Sequence, residues 1–249
     1  LEDIDKITAK GLYEHYVNIM KTSPIDIVVE GNFDEDEIVE IISNGFDFHR
    51  ENIIEVPRAD FIKKVDEIKV IKEEMDITQG KLVMGYRCNV DYKDEFKYYS
   101  LFVGSNVLGG GPHSKLFVNV REKESLCYYI YSSLEKYKTS MFISSGIESE
   151  NYDKTVELIG EQLKSLKEGK ISDEELLNSK SAIISSLKTI KDSLGGSSDF
   201  YFSQSMGGTN TTVEKIIEMI EKVTVSDIVE AFKNIELDTI YFLSNNKEA

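Results

Sequence analysis

Several things are scarce or missing in this sequence of 249 residues. No apolar run approaches the roughly 18–20 residues that a helix needs to cross a bilayer, so the membrane is not an expected partner. No basic stretch followed by an apolar one opens the chain, and no secretory signal is legible. Leu1 stands where an initiator methionine would, which reads as a processed or truncated start. Cysteine is limited to Cys88 and Cys127, each in a strand-like run and without CxxC spacing. That excludes a zinc knuckle or redox pair and fits two reduced, buried thiols in a cytoplasmic protein.

Histidine is equally sparse. His15, His49 and His113 stand alone, none three or four residues from another, so neither HExxH nor HxxEH is present. A catalytic zinc would have to gather scattered ligands, and the bland reading is three surface or satisfied histidines. No metal site is expected in this chain. Positive charge is also short: 29 Lys and Arg face 45 Asp and Glu, for a net charge of −16. With no basic stripe interleaved with aromatics, a phosphate backbone would be repelled, and nucleic acid is excluded as a partner. An acidic surface can favour basic peptides, but acidity by itself usually reflects solubility. No GxSxG elbow exists, and Ser114 and His113, being adjacent on a helix, point in different directions.

What is present divides the chain into three. In residues 1–46, Thr8–Met20 has Leu12, Tyr16 and Ile19 on one helical face. Pro24 stops it, Ile25–Glu30 reads as a short buried strand ending at Gly31, and the capping box Asp34-x-x-Glu37 opens a second helix. This unit is too small to bury its own faces and looks like the end of a preceding, homologous module. Residues 47–78, rich in charge and containing Pro57, read as a linker.

Residues 79–249 read as a complete α+β unit. Leu82, Met84, Tyr86, Cys88 and Val90 alternate as in a half-buried strand. A helix from about Asp94 runs into Gly109-Gly110-Gly111, and Pro112 opens the next, which ends at Arg121. Cys127–Ser133 and Ser140–Ile147 read as a hairpin. A helix through Val156, Ile159, Leu163 and Leu166 follows, and Ser172-x-x-Glu175 caps a long one to about Ile190. Gly195-Gly196-Ser197-Ser198 reads as a break, with two short helices (near 212–222 and 226–235) before a last strand, Thr239–Leu243. Strands followed by runs of helices predict a sheet with helices packed on one face.

Two segments can carry chemistry. Gly109-Gly110-Gly111 follows a helix rather than a strand and lacks GxxxxGK[ST], so it is no P-loop; it is either a tight turn or a loop whose bare backbone lets an extended peptide approach. Arg121 can offset a helix dipole and Tyr128 can be core. Together they can also donate hydrogen bonds to a carbonyl or an oxyanion.

The stretch Asn106–Ser133, NVLGGGPHSKLFVNVREKESLCYYIYSS, resembles the second, zinc-free half of the pitrilysin/insulinase-type zinc peptidases, in the branch that includes the mitochondrial processing peptidases. The matching frame is LGGG, a small residue before a basic one, LF, RE, and a tyrosine seven residues after the arginine. The likeness continues through Gly146-Ile147-Glu148, EQLKSLKEG and the terminal DTIYFL, while VVEGNFDEDE resembles the end of the family's first half.

That resemblance implies an αβ roll of the processing-peptidase type, two such halves facing each other around a chamber. It implies Arg121 and Tyr128 as the substrate-holding pair and Gly109, Gly110 and Gly111 as the loop that guides the peptide. Tyr129 does not fall on the matching position and reads as structural. Zinc, the HxxEH motif and catalysis would belong to the absent half or a homologous partner subunit, and the substrate would be a peptide. A non-catalytic scaffold subunit of the same fold is the alternative, and an unrelated peptide-binding module a third reading.

Overall fold

Side-chain caps start the first two helices where the local sequence offers them. The computed structural model describes residues 2–46, 49–55, 57 and 63–245. Residues 47–48, 56 and 58–62 of the expected linker, and 246–249 at the end of the expected second unit, lie outside the described residues. The Thr8 hydroxyl accepts the Gly11 amide at the head of α1 (Ala9–Thr22), and the Asp34 carboxylate accepts that of Glu37 at the head of α2 (Glu35–Gly45). Between them residues 25–30 are irregular instead of forming the expected strand. A strand requires a neighbour for its amides and carbonyls, and among the described residues none pairs here.

The expected linker is more ordered than its composition predicts. The Glu51 and Ile54 amides donate to the Lys21 and Thr22 carbonyls, while Arg50 Nε donates to the Met20 carbonyl, folding residues 50–54 back along the end of α1. Its last part is strand β1 (Lys69–Met75), whose charged, exposed residues show no apolar alternation because it lies at a sheet edge.

Next come β2 (Gly80–Arg87), α3 (Glu95–Gly109), a π-helix (Phe117–Glu122), and the hairpin β3 (Cys127–Glu135) and β4 (Ser140–Ile147). Helices α4 (Tyr152–Lys167), α5 (Asp173–Thr189), α6 (Leu194–Gly207), α7 (Val213–Lys222) and α8 (Val225–Phe232) precede β5 (Glu236–Asn245). The Ser172–Glu175 capping box is present, whereas Gly195 and Gly196 do not break a helix. They lie in the first turn of α6, whose cap is Ser193, and the interruption is the 3-10 turn Ile190–Asp192 just before it.

The five strands form one sheet in the order β1-β5-β2-β4-β3, antiparallel except for the β1–β5 pair. Alternation gives it two unlike faces. Leu82, Met84, Met141, Ile143, Ile240 and Phe242 point to one side and are buried with Leu101, Leu108, Ile159, Ile228 and Phe232 of the helices. Each such side chain contributes about 2 kcal/mol by leaving water. The fold is therefore α+β, a largely antiparallel sheet with helices on one face. Among the described residues no helix is long and apolar enough to cross a membrane.

Residues 2–75 contrast with this core. No described side chain there is buried, and Leu12, Tyr16 and Ile19 of α1 stay 60%, 57% and 39% exposed.

Candidate functional site

The segment after Pro112 departs from the α-helix that its sequence predicts. It winds as a π-helix over Phe117–Glu122, with the Lys123 amide donating to the Val118 carbonyl five residues back at 3.1 Å. Such wide turns recur at functional sites because they re-aim one side chain. Here the residue on the last turn is Arg121, whose guanidinium carbon lies 4.5 Å from the centre of the Phe117 ring, in cation–π contact.

The chain then folds back tightly. Ser125, with φ of 54°, donates its amide to the Arg121 carbonyl at 3.0 Å, and the Leu126 amide donates to the Val120 carbonyl. At the start of β3 the ladder slips: Cys127 pairs with Ile147 but Tyr129 pairs with Gly146. This bulge leaves Tyr128 between rungs and 76% exposed. Among the described residues, neither the Arg121 guanidinium nor the Tyr128 hydroxyl has a hydrogen-bond or ion-pair partner. Burial raises the Cys127 thiol pKa, opposed by a hydrogen bond with Ser145 and by the positive charge of Arg121, so the guanidinium lies within electrostatic reach of the residue next to Tyr128.

Tyr129 occupies the neighbouring rung on the open face of the sheet. Its ring stacks beside Tyr131, with centroids 6.0 Å apart and planes 29° from parallel.

The three glycines close the end of α3 against β3. A Cβ on Gly109 would stand 2.5 Å from the Ser132 amide nitrogen, and one on Gly110 would overlap the Asn106 side chain. Neither has positive φ, so close approach rather than left-handed backbone selects glycine at these two positions. Gly111 is less constrained, its Cβ meeting only the His113 ring at 3.3 Å.

The loop is anchored to α5 by residues that the sequence does not mark. His113 Nε2 lies 3.3 Å from Asn106 Oδ1 and 3.2 Å from Ser179 Oγ, and buried Lys115 donates to Glu175. The only signal for the second contact is the capping-box glutamate, which here serves both its own helix and Lys115.

A zinc site does not fit this donor set. His15 lies on exposed α1, His49 beside Glu51, and His113 is engaged by Asn106 and Ser179. Among the described residues no group of three or more His, Cys, Asp or Glu is placed to hold a metal ion.

Residues 6–183 match the family model described as the Peptidase M16 inactive domain. A Bacillus subtilis protein described as a probable inactive metalloprotease is 37% identical over 251 residues, covering all of this chain and 58% of that protein. The crystal structure of a conserved protein from Enterococcus faecalis superposes with a TM-score of 0.87 at 30% identity, over 98% of this chain and 57% of that one. A protease from Helicobacter pylori shares the fold at 17% identity, with a TM-score of 0.76 over 98% of this chain and 60% of that one. The chain thus spans a little over half the length of these relatives. It belongs to the Peptidase M16 family, as an example of that family's inactive domain.

Proposed function

We propose that this chain is the non-catalytic, peptide-holding half of a zinc-protease-like assembly, with Arg121 and Tyr128 donating to a backbone carbonyl of an unfolded peptide. The observation that carries this reading is that, among the described residues, neither polar group is taken up by an internal hydrogen bond or ion pair. A π-turn and a strand bulge, both costly to regular pairing, present two unpaired donors on consecutive elements. A guanidinium and a phenol donate to a carbonyl oxygen and hold it more tightly as negative charge develops there. In this reading Gly109–Gly111, the first of which packs against Ser132 of β3, guide the peptide backbone. No step of peptide cleavage is assigned to this chain's own residues; among the described ones no group of three or more His, Cys, Asp or Glu is placed to hold a metal ion.

The uncovered apolar surface of α1 and α2 supports a second half. Residues 1–46 then complete a preceding homologous unit, and 79–249 form the peptide-holding unit. The same surface also supports a scaffold subunit that binds no peptide, and one experiment separates the two. Fluorescence anisotropy of a labelled, unfolded peptide would be followed with the 249-residue chain and with Arg121→Ala and Tyr128→Phe variants. Each substitution is expected to weaken binding about tenfold, the loss of one charge-assisted or neutral hydrogen bond of roughly 1–2 kcal/mol. No binding by any of the three proteins favours the scaffold, whereas equal affinity for all three would mean that the peptide is held by groups other than Arg121 and Tyr128.

A further inference from the structure

The face of the sheet turned away from the helices carries a socket that the protein leaves open. Two glycines lie on that face, and they differ in why they are glycine. Gly146 of β4 is covered by the ring of Tyr129, and a Cβ there would stand 2.5 Å from Tyr129 Cε1. The protein's own packing requires it.

Gly85 of β2 has no such reason. Its rung neighbours are Phe142 and Thr239, and an added Cβ would come no nearer than 3.5 Å to Phe142 Cε1 and 3.9 Å to the Thr239 carbonyl. Its φ is not positive, so the register slip between Gly85 and Tyr86 does not demand glycine either. Glycine in a strand interior weakens the strand, and it marks places where a ligand or another chain comes close.

The space above Gly85 belongs to a cavity of about 410 Å³, walled by Val83, Phe142, Thr239 and Tyr241. Arg87, Lys138, Ser140 and Asp238 also line it, two cations to one carboxylate. Arg87 Nε donates side-on to Asp238 Oδ2 at 2.7 Å, and the Thr239 hydroxyl occupies Asp238 Oδ1. This leaves the two terminal amino groups of Arg87, and the Lys138 ammonium, without a hydrogen-bond partner among the described residues. An apolar socket with unpaired cationic donors in its lining complements a bulky apolar side chain near a carboxylate.

We propose that this socket takes a Phe or Leu side chain from an extended peptide, with an acidic side chain two positions away reaching Arg87 and Lys138. Two positions is the spacing that returns a side chain to the same face of an extended chain, about 6.6 Å on. Arg87 itself stands two residues beyond Gly85. The inference rests on the peptide-holding reading above. Phe142 lies four residues along β4 from Gly146, which pairs with the start of β3. At about 3.3 Å per residue that separates the socket from the Tyr128 region by about 13 Å, or four to five peptide residues.

The test uses three labelled, end-capped dodecapeptides whose centres are Glu-Ala-Phe-Ala-Glu, Lys-Ala-Phe-Ala-Lys and Glu-Ala-Ala-Ala-Glu. Anisotropy titrations of the 249-residue chain are expected to show the first bound at least tenfold tighter than either other. Gly85→Val fills the socket and is expected to lose that tenfold while its thermal midpoint stays level or rises, opposite movements that a purely structural glycine would not give. Thr239→Tyr plugs the socket from β5 and carries the test should Gly85→Val fold poorly. Lys138→Glu should remove the preference for the acidic peptide and leave that for phenylalanine. Undiminished binding of the first peptide by both plugged variants overturns the socket. If Arg121→Ala weakens binding while the plugged variants do not, only this inference falls; if none of them matters, the peptide-holding reading falls with it.

Discussion

Lys115 Nζ donates to both carboxylate oxygens of Glu175, at 2.9 and 3.1 Å, across a gap of 60 residues in sequence. The lysine side chain is only 8% exposed and the glutamate 23%. The pair fixes the segment between the glycine loop and the π-helix to the first turn of α5. Removing one partner of such a buried pair strands the other, which typically costs about 3–5 kcal/mol. Lys115→Met should fall near the lower end, about 3 kcal/mol, because Glu175 keeps some water and its capping bond to the Ser172 amide. A urea midpoint unchanged by this substitution would contradict the anchoring role.

The three loop glycines are expected to separate under alanine substitution. Gly109→Ala pushes a Cβ into backbone of β3 and should destabilise by about 1–3 kcal/mol, as overpacking does. Gly111→Ala meets only the edge of a histidine ring and should stay within about 0.5 kcal/mol. Equal effects at the two positions would mean that loop flexibility, not the approach of α3 to β3, is what the glycines provide. Thermal or urea denaturation of the two variants decides between these.

Much of this was legible from local signals. The capping box at Ser172, the alternation from Leu82 and the helix leading into Gly109 each specify their own element within a few residues. The misread glycines at 195 and 196 are a local error, a Ser193 cap overlooked, whereas the misread strands depend on partners far away in sequence. Ile25–Glu30 has strand-like residues but no strand beside it, whereas Lys69–Met75 looks like charged linker and is held by β5, about 170 residues on. Around the site, the frame named Arg121 and Tyr128, yet nothing local marks the π-turn or the bulge. Tyr128, Tyr129, Ile130 and Tyr131 are all large, so their alternation does not set the register; the pairing with Gly146 does. The opening at Gly85 needs three strands to be seen.

Tyr128 and Arg121 should separate function from stability. With its ring 76% exposed and its hydroxyl unpaired, Tyr128→Phe is expected to leave the urea midpoint within the scatter of surface substitutions, about 0.5 kcal/mol. Arg121→Ala also forfeits the contact with Phe117, adding about 0.5–1 kcal/mol of destabilisation. Arg121→Lys should restore little peptide binding, because an ammonium lacks the planar fork of donors. Full rescue by lysine would mean that charge alone is needed.

The last expectation concerns alkaline pH. Burial pushes the Cys88 thiol up from an ordinary 9.0 to about 12, slightly offset by its bond to the Met141 backbone and by Lys167. Because the folded-state value lies above the unfolded one, the neutral thiol stabilises the fold fully below about pH 9. That contribution is lost as pH rises toward 12, by on the order of 2–3 kcal/mol at pH 11. Burial raises Tyr86, Tyr98 and Tyr99 as well, so they add to the decline above their ordinary value of 10.0. Lys136 and Lys167, lowered by burial, act with the opposite sign. Between pH 9 and 10 the thiol is therefore read from the difference between proteins with and without Cys88, in a Cys127→Ala background that removes the half-buried second cysteine. Urea midpoints should fall across that window, and Cys88→Ala should flatten the fall while lowering stability overall. Equal slopes with and without the Cys88 thiol would show that it is not held neutral in the core.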